Sequence, residues 1–400
     1  MTLYDELKAR AYALREEIIA RRRDFHQNPE LAFEEYRTAG IVAQELNALG
    51  LEVRTGVGKT GVIAILEGAV DGPTVLVRAD MDALPILEEY EAGFKSQNAH
   101  KMHACGHDGH TAIGLGVAKV LAEHRDQIVG RIKFVFQPAE EIGLGAQAMV
   151  QDGALIDPRP DVTLGLHLWN SMPVGVVGAA DGPVMAGSSN FHVVITGKGG
   201  HAASPHVAID PVVCAAHLIT ALQTIVSRTI DPFDTAVISV AQVRAGDAFN
   251  IIPQTAELNG TIRTFRLPVR DQVVARFQEI AENVAKAMGC TASVEITHIT
   301  KPVDNHPEVS ARARKVFTSV QPTVSLDLTA RTMGSEDVSE FMTDIPGLYF
   351  FLGAKDETQS AYYGHHHPRF SIDEEALPLG VALLSSAIAS YVLPEAEAKS

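Results

Sequence analysis

Apolar residues return at helical spacing over 7–19, which predicts an amphipathic helix, and after a break at Asn28 and Pro29 a second helix is expected over 38–49. From Val53 the rhythm shortens. Runs over 61–66 and 73–78 read as strands, and Val75, Leu76 and Val77 are apolar at consecutive positions, as in a strand covered on both faces. Helices over 109–123 and 145–150 then alternate with strands over 132–136 and 161–167, the pattern of a layered α/β domain with a largely parallel sheet.

The pattern changes after Gly182. Strands over 191–196, 236–243, 256–265 and 292–296 interleave with helices over 207–227 and 268–288, giving the order β-α-β-β-α-β of a split βαβ, ferredoxin-like domain. Beyond Lys301, a helix over 308–320, a strand over 348–353 and a helix over 373–391 resume the first pattern. The expected class is α/β, with a mixed, largely parallel sheet flanked by helices. Its discontinuous domain takes 1–184 and 300–400, and an α+β domain over 185–299 is inserted into it.

Composition narrows the function classes. A chain of 400 residues, 46% of them hydrophobic, has material for two or three domains with buried cores and is not a disordered segment. Lys and Arg number 33 against 49 Asp and Glu, a net charge of -16 without long like-charge runs, which argues against nucleic acid or an anionic membrane as partner. A small molecule is the expected partner. Cys105, Cys214 and Cys290 are too few and too scattered for a disulfide framework, so a reducing cytoplasm is expected. The N-terminal stretch is charged, without an apolar export segment, and no uninterrupted run of about 18 apolar residues predicts a membrane span.

The chemistry concentrates at strand ends. Cys105 and His107 lie in a His- and Gly-rich loop at a predicted helix start, and thiolate with imidazole is a donor set suited to divalent transition metals. Glu140 and Glu141 follow the strand over 132–136 at the sheet edge where open α/β folds bind ligands. Adjacent side chains diverge, so one carboxylate can bind metal while its neighbour handles protons. His167 ends the next strand, and His365, His366 and His367 form a run too polar for an ordinary core. Asp80 and Asp82 share one side of an extended chain, as ligands or as acceptors that orient a ligating imidazole. Each segment alone has a bland alternative, such as a surface His tract or a solvated Glu pair; their recurrence at successive strand ends favours a metal centre.

Taken with Gly199 to Ala203, Asn250 to Pro253, Gly260 to Arg263 and His366 to Phe370, these segments resemble, in order, the aminoacylase/carboxypeptidase metallopeptidase family, and most closely its hippurate hydrolase and indole-acetyl-amino-acid hydrolase branch. The resemblance implies two divalent metal ions per subunit (zinc, manganese, cobalt or nickel) held by Cys105, His107, Glu141, His167 and His366. It implies Glu140 as general base, Asp82 as an orienting carboxylate, and Asn250, Arg263 and His201 as substrate-binding residues, with His201 also catalytic. The inserted domain resembles the family's lid and dimerisation domain, which implies a homodimer or homotetramer. Asp80 stands where the peptidase branches carry a ligating His. The expected activity is therefore hydrolysis of N-acyl amino acids to a carboxylate and a free amino acid, against the alternatives of a dipeptidase or carboxypeptidase, a metal-binding module without catalysis, and a thiol hydrolase using Cys105.

Overall fold

The structure is a computed structural model that describes residues 2–358 and 361–393. The chain runs through α1 (Leu3–Ala13), α2 (Arg15–Gln27), α3 (Tyr36–Ala48), β1 (Glu52–Val57), β2 (Gly61–Glu67), β3 (Val70–Asp80), α4 (His107–Ala122), β4 (Val129–Gln137), α5 (Gly145–Gln151), β5 (Val162–Trp169), β6 (Val176–Gly178) and β7 (Gly182–Met185). It continues with β8 (Gly187–Thr196), β9 (Gly200–His201), α6 (Pro211–Arg228), β10 (Ala236–Ala245), β11 (Ile251–Ile252), β12 (Thr255–Thr264), α7 (Leu267–Ala287) and β13 (Thr291–Thr300). The last part holds β14 (Val303–Asn305), α8 (Pro307–Val320), β15 (Ser325–Asp327), β16 (Gly347–Gly353) and α9 (Ala376–Val392).

Two compact units result, one of Met1–Gly182, Asp304–Arg331 and Asp337–Ser400, the other of Pro183–Val303 and Thr332–Glu336. Residues 394–400, which the sequence reading assigned to the first domain, lie outside the described residues. The first unit is built on an eight-stranded sheet in the order β1-β2-β4-β3-β5-β16-β6-β15. Its centre is parallel, β3 pairing with both β4 and β5, and β5 with β16, while β1, β2 and the β16–β6 pair add antiparallel neighbours. All seven residues of β16 are buried, and α9 packs its apolar length against β3, β4 and β5 beside α4. Register places Asp80 opposite Gln137 and His167 opposite Phe351, so β3, β4 and β5 end along one carboxyl edge.

In the second unit, a four-stranded antiparallel sheet runs β10-β12-β8-β13 with α6 and α7 on one face. Phe191, Val193, Ile195, Leu218, Leu258 and Phe277 belong to its buried core. The Thr332–Glu336 segment is tied in by Thr332 N–H donating to the Val184 carbonyl (2.9 Å) and Ala186 N–H to that of Gly334 (2.9 Å). By length and composition α6 is apolar enough to cross a membrane, yet Cys214, Leu218, Leu222 and Ile225 are buried in this core.

The elements differ from the sequence reading where local chemistry overrides periodicity. The single helix expected over 7–19 is two, broken at Leu14, where the backbone leaves helical geometry (φ -88°, ψ 0°). The helix expected from 207 begins at Pro211: the Asp210 carboxylate accepts from Val212 and Val213 N–H, and proline is favoured at a first helical position.

Candidate metal centre

Two connections at the carboxyl edge of the first unit's sheet frame the site, the long one from β3 to α4 and the loop after β4. Beyond β3, both oxygens of Asp82 are engaged, accepting from the backbone N–H of Glu140 (3.0 Å) and of Glu141 (3.0 Å). The loop after β4 turns through Ala139, a non-glycine residue at φ +52°, and back through Gly143 at φ +67°. Gly145 is obligatory here, since a Cβ would lie 1.6 Å from the Pro138 carbonyl oxygen. At the far end of the β3–α4 connection, Gly106 at φ +91° precedes His107, the first residue of α4.

These backbones fix the imidazole tautomers. His107 Nδ1–H donates to the Asp82 carbonyl (2.9 Å) and His167 Nδ1–H to the Leu168 carbonyl (2.8 Å). Nε2 is therefore the atom each ring offers to the site, as in metal-ligating histidines. His167 Nε2 lies 3.6 Å from Cys105 Sγ, and His366 Nε2 lies 3.3 Å from Glu141 Oε2. His366 is held in the left-handed region (φ +64°), its N–H donating to the Ala104 carbonyl (2.8 Å). Strain at a non-glycine residue beside such a cluster is a feature of functional sites.

The donor atoms fall into groups whose members lie within 4.8 Å of one another: Cys105, His107 and His167; Cys105, Glu141 and His366; and His107 with Glu140 and Glu141. Cys105 is common to the first two. The residues fit divalent cations on two further grounds. His107 Nε2 and Glu141 Oε1 are buried and make no hydrogen bond with any described residue, an expensive arrangement unless a cation takes those lone pairs. The field is also strongly negative. Hydrogen bonds to Cys105 and Glu141 push the His366 imidazole up to about 10. Burial opposes a charge on His107, but Asp80 and Asp82 outweigh it and raise that imidazole well above its ordinary value. A field that draws protons to two imidazoles favours cations at the same atoms. His167, by contrast, is held neutral by burial and by its neighbours His110 and His365.

Asp80 lies close to His107 Nε2 (3.6 Å), but its oxygens are occupied by Arg78 Nη1 (2.6 Å) and His110 Nδ1 (2.6 Å). His110 in turn accepts from Leu168 N–H (2.8 Å), clamping the strand end that carries His167. Arg78 and His110 were not selected from sequence; the available signal was that His110 lies one turn after His107 on the same helix. The three consecutive histidines separate. His365 packs on Trp169 and faces the Leu168 carbonyl (3.1 Å), His367 lies against Tyr363, and only His366 joins the donor groups.

The remaining candidates belong to the second unit. β9 and β11 pair His201 with Ile251, so His201 and Asn250 are neighbours, Ala202 N–H donating to the Asn250 carbonyl (3.0 Å). Both side chains are exposed. Arg263 is half-buried and bonds two hydroxyls, Thr261 Oγ1 (3.0 Å) and Ser335 Oγ (2.5 Å), and no carboxylate among the described residues pairs with it. Burial lowers its pKa.

Comparison with known proteins agrees with this picture. The sequence profile of Peptidase family M20/M25/M40 matches residues 76–390. Thermostable carboxypeptidase 2 of Saccharolobus solfataricus is 39% identical over 384 residues, 95% of this chain and 96% of that protein. IAA-amino acid hydrolase ILR1-like 2 of Arabidopsis thaliana is 41% identical over 379 residues, 94% of this chain and 85% of that one. A Bacillus subtilis protein described as a dinuclear metal binding peptidase of the M20 family has a TM-score of 0.83 at 33% identity, covering 95% of this chain and 99% of that one. With relatives matched almost end to end and a profile that spans most of its length, the chain belongs to peptidase family M20/M25/M40, a family of hydrolases acting on amide bonds.

Proposed function

We propose that the protein is a dinuclear metal-dependent amidohydrolase that cleaves the amide bond of N-acyl amino acids. The observation that carries this reading is the pair of donor groups sharing Cys105, with the second carboxylate of the Glu140–Glu141 pair in one of them and the first beside it. Cys105, His107, Glu141, His167 and His366 would hold two divalent cations, and thiolate with imidazole and carboxylate suits zinc, manganese, cobalt or nickel. Such ions supply a water acidified towards neutral pH and a Lewis acid for the amide carbonyl.

The protein's own groups do the rest. Glu140 Oε2 reaches to 3.8 Å from His107 Nε2, so its carboxylate faces the donor atoms and is suited to accept the proton of the attacking water and return it to the departing amine. Asp82 holds the backbone of both glutamates. Arg263, a half-buried guanidinium bonded only to hydroxyls among the described residues, is matched to the free carboxylate of an amino-acid product. His201 and Asn250 are neighbouring donors suited to the carbonyl oxygen. The second unit is assigned the roles of lid and dimerisation domain, in a homodimer or homotetramer.

The engagement of Asp80 with Arg78 and His110 favours N-acyl substrates over dipeptides, because the family's peptidase branches, from which the sequence departs here, carry a ligating His at this position. The S. solfataricus relative named as a carboxypeptidase keeps peptide hydrolysis as the second reading. Assay of the metal-loaded enzyme on N-acetyl and N-benzoyl amino acids beside matching dipeptides separates the two. Faster turnover of the N-acyl compounds is expected; preference for the dipeptides rejects the first reading.

A further inference from the structure

Glu35 lies far from the motifs in sequence and is fully buried, although it stands in the polar run Glu34-Glu35-Tyr36. Its position follows from the start of α3, where Glu30 accepts from Arg37 N–H (2.9 Å) and Thr38 N–H (2.8 Å) and so fixes the helix end. Glu35 is the residue at the helix cap, and its side chain turns inward. One carboxylate oxygen accepts from two backbone donors, Phe33 N–H (2.9 Å) and Ala139 N–H (2.9 Å). The other accepts from the Thr60 hydroxyl. Both backbone donors belong to non-glycine residues in the left-handed region, Phe33 at φ +62° and Ala139 at φ +52°.

Ala139 immediately precedes Glu140. The next two N–H groups, of Glu140 and Glu141, are the ones that Asp82 accepts. Two buried carboxylates from separate segments thus grip three successive amides of one loop, and Glu35 holds the strained first one. We infer that Glu35 is a positioning residue for Glu140: by fixing the Ala139 amide it sets the direction in which the Glu140 carboxylate leaves the loop. Asp82 retains its grip on Glu141 when Glu35 is lost, so the metal-binding half of the pair stays in place. The clamp also tolerates either protonation state, because a protonated Glu35 can donate to Thr60 through one oxygen while the other still accepts both amides. An amide side chain reproduces that arrangement.

This inference rests on the reading of Glu140 as the base, and the test separates the two. Glu35→Ala, Glu35→Met and Glu35→Gln are assayed as metal-loaded enzymes beside Glu140→Gln, with kcat, KM and bound metal measured for each. Removing the acceptor, by Ala or by the bulkier Met if Ala does not fold, is expected to lower kcat about thirtyfold with KM within about twofold and metal content unchanged, since a small misplacement of a reacting group costs rate rather than binding. Glu35→Gln is expected to restore kcat to within about threefold of the parent. The inference is overturned if Ala or Met leaves kcat within about twofold, if metal is lost in step with activity, or if Gln, with its metal intact, is as slow as they are. Retention of activity by Glu140→Gln instead rejects the base itself, whatever the Glu35 variants do.

Discussion

The two units handle their polar residues in opposite ways. In the first, Cys105, His107 and His167 are buried, and the latter two have their tautomers set by backbone carbonyls. In the second, His201 and Asn250 sit on exposed segments beside Phe249, which is fully exposed, and among the described residues the His201 ring is hydrogen-bonded to its own loop's Ala203 N–H alone (3.0 Å). Preorganisation is thus concentrated where ionic chemistry needs a fixed, dehydrated environment. Groups that have only to meet a substrate can remain in water. Changes in the first unit should therefore disturb metal, stability and rate together, and changes in the second should disturb rate or affinity alone.

The largest effect that would break this contrast is metal removal. Dialysis against a chelator is expected to lower turnover by more than about a thousandfold, with recovery when zinc, manganese, cobalt or nickel is restored. Full activity in chelator, lost instead on thiol alkylation, would point to Cys105 as a nucleophile. Next in size, His201→Ala is expected to reduce kcat about a hundredfold, the usual scale for one carbonyl-oxygen donor. Because the residue is exposed, bound metal and the thermal midpoint should stay at parental values; a fall in either would place His201 with the buried set. Arg263→Lys follows, with KM raised about tenfold and kcat less affected, because an ammonium lacks the planar two-pronged donor geometry. An unchanged KM for an N-acyl amino acid would remove Arg263 from carboxylate recognition.

A test read on stability rather than on rate sharpens the account of burial. Burial chiefly, with the charge of Asp82, lifts the Glu35 carboxyl from 4.5 to about 7. The folded state then holds a proton that the unfolded state has released between those values, and stability falls as pH rises through the interval, by roughly 3 kcal/mol in all. Glu35→Gln does not titrate. Its stability relative to the parent should rise from pH 4.5 to 7 and level off above, which thermal unfolding at several pH values would reveal; a flat difference would mean that the buried carboxyl is not strained by ionisation.

Much of the centre was legible in the chain because metal ligands are chemically rare residues and strand ends can be read from apolar runs. Glu141 and His167 could be placed at one sheet edge that way, and Cys105 in a loop at a helix start. The middle His of 365–367 was singled out by its spacing to Pro368 and Phe370 in the resembling motif, and the structure puts only that ring among the donors. What sequence concealed were residues whose function depends on burial. Glu35 looks like a solvated helix start, and nothing local reveals that Thr60 and Ala139 close over it. The ion pair between Arg78 and Asp80 lies within one strand and was equally hidden, because two charged side chains at alternate positions of an apolar strand read as a ligand and a neighbour. The return of Thr332–Glu336 to the second unit involves backbone contacts that leave no compositional trace.

The central claim is a division of labour between adjacent carboxylates, and one paired measurement addresses it: bound metal and N-acyl amino acid turnover for Glu140→Gln and Glu141→Ala. The account predicts that Glu140→Gln keeps parental metal and loses turnover, while Glu141→Ala loses metal and turnover together. Substantial activity in Glu140→Gln, or full metal content in Glu141→Ala, would contradict it.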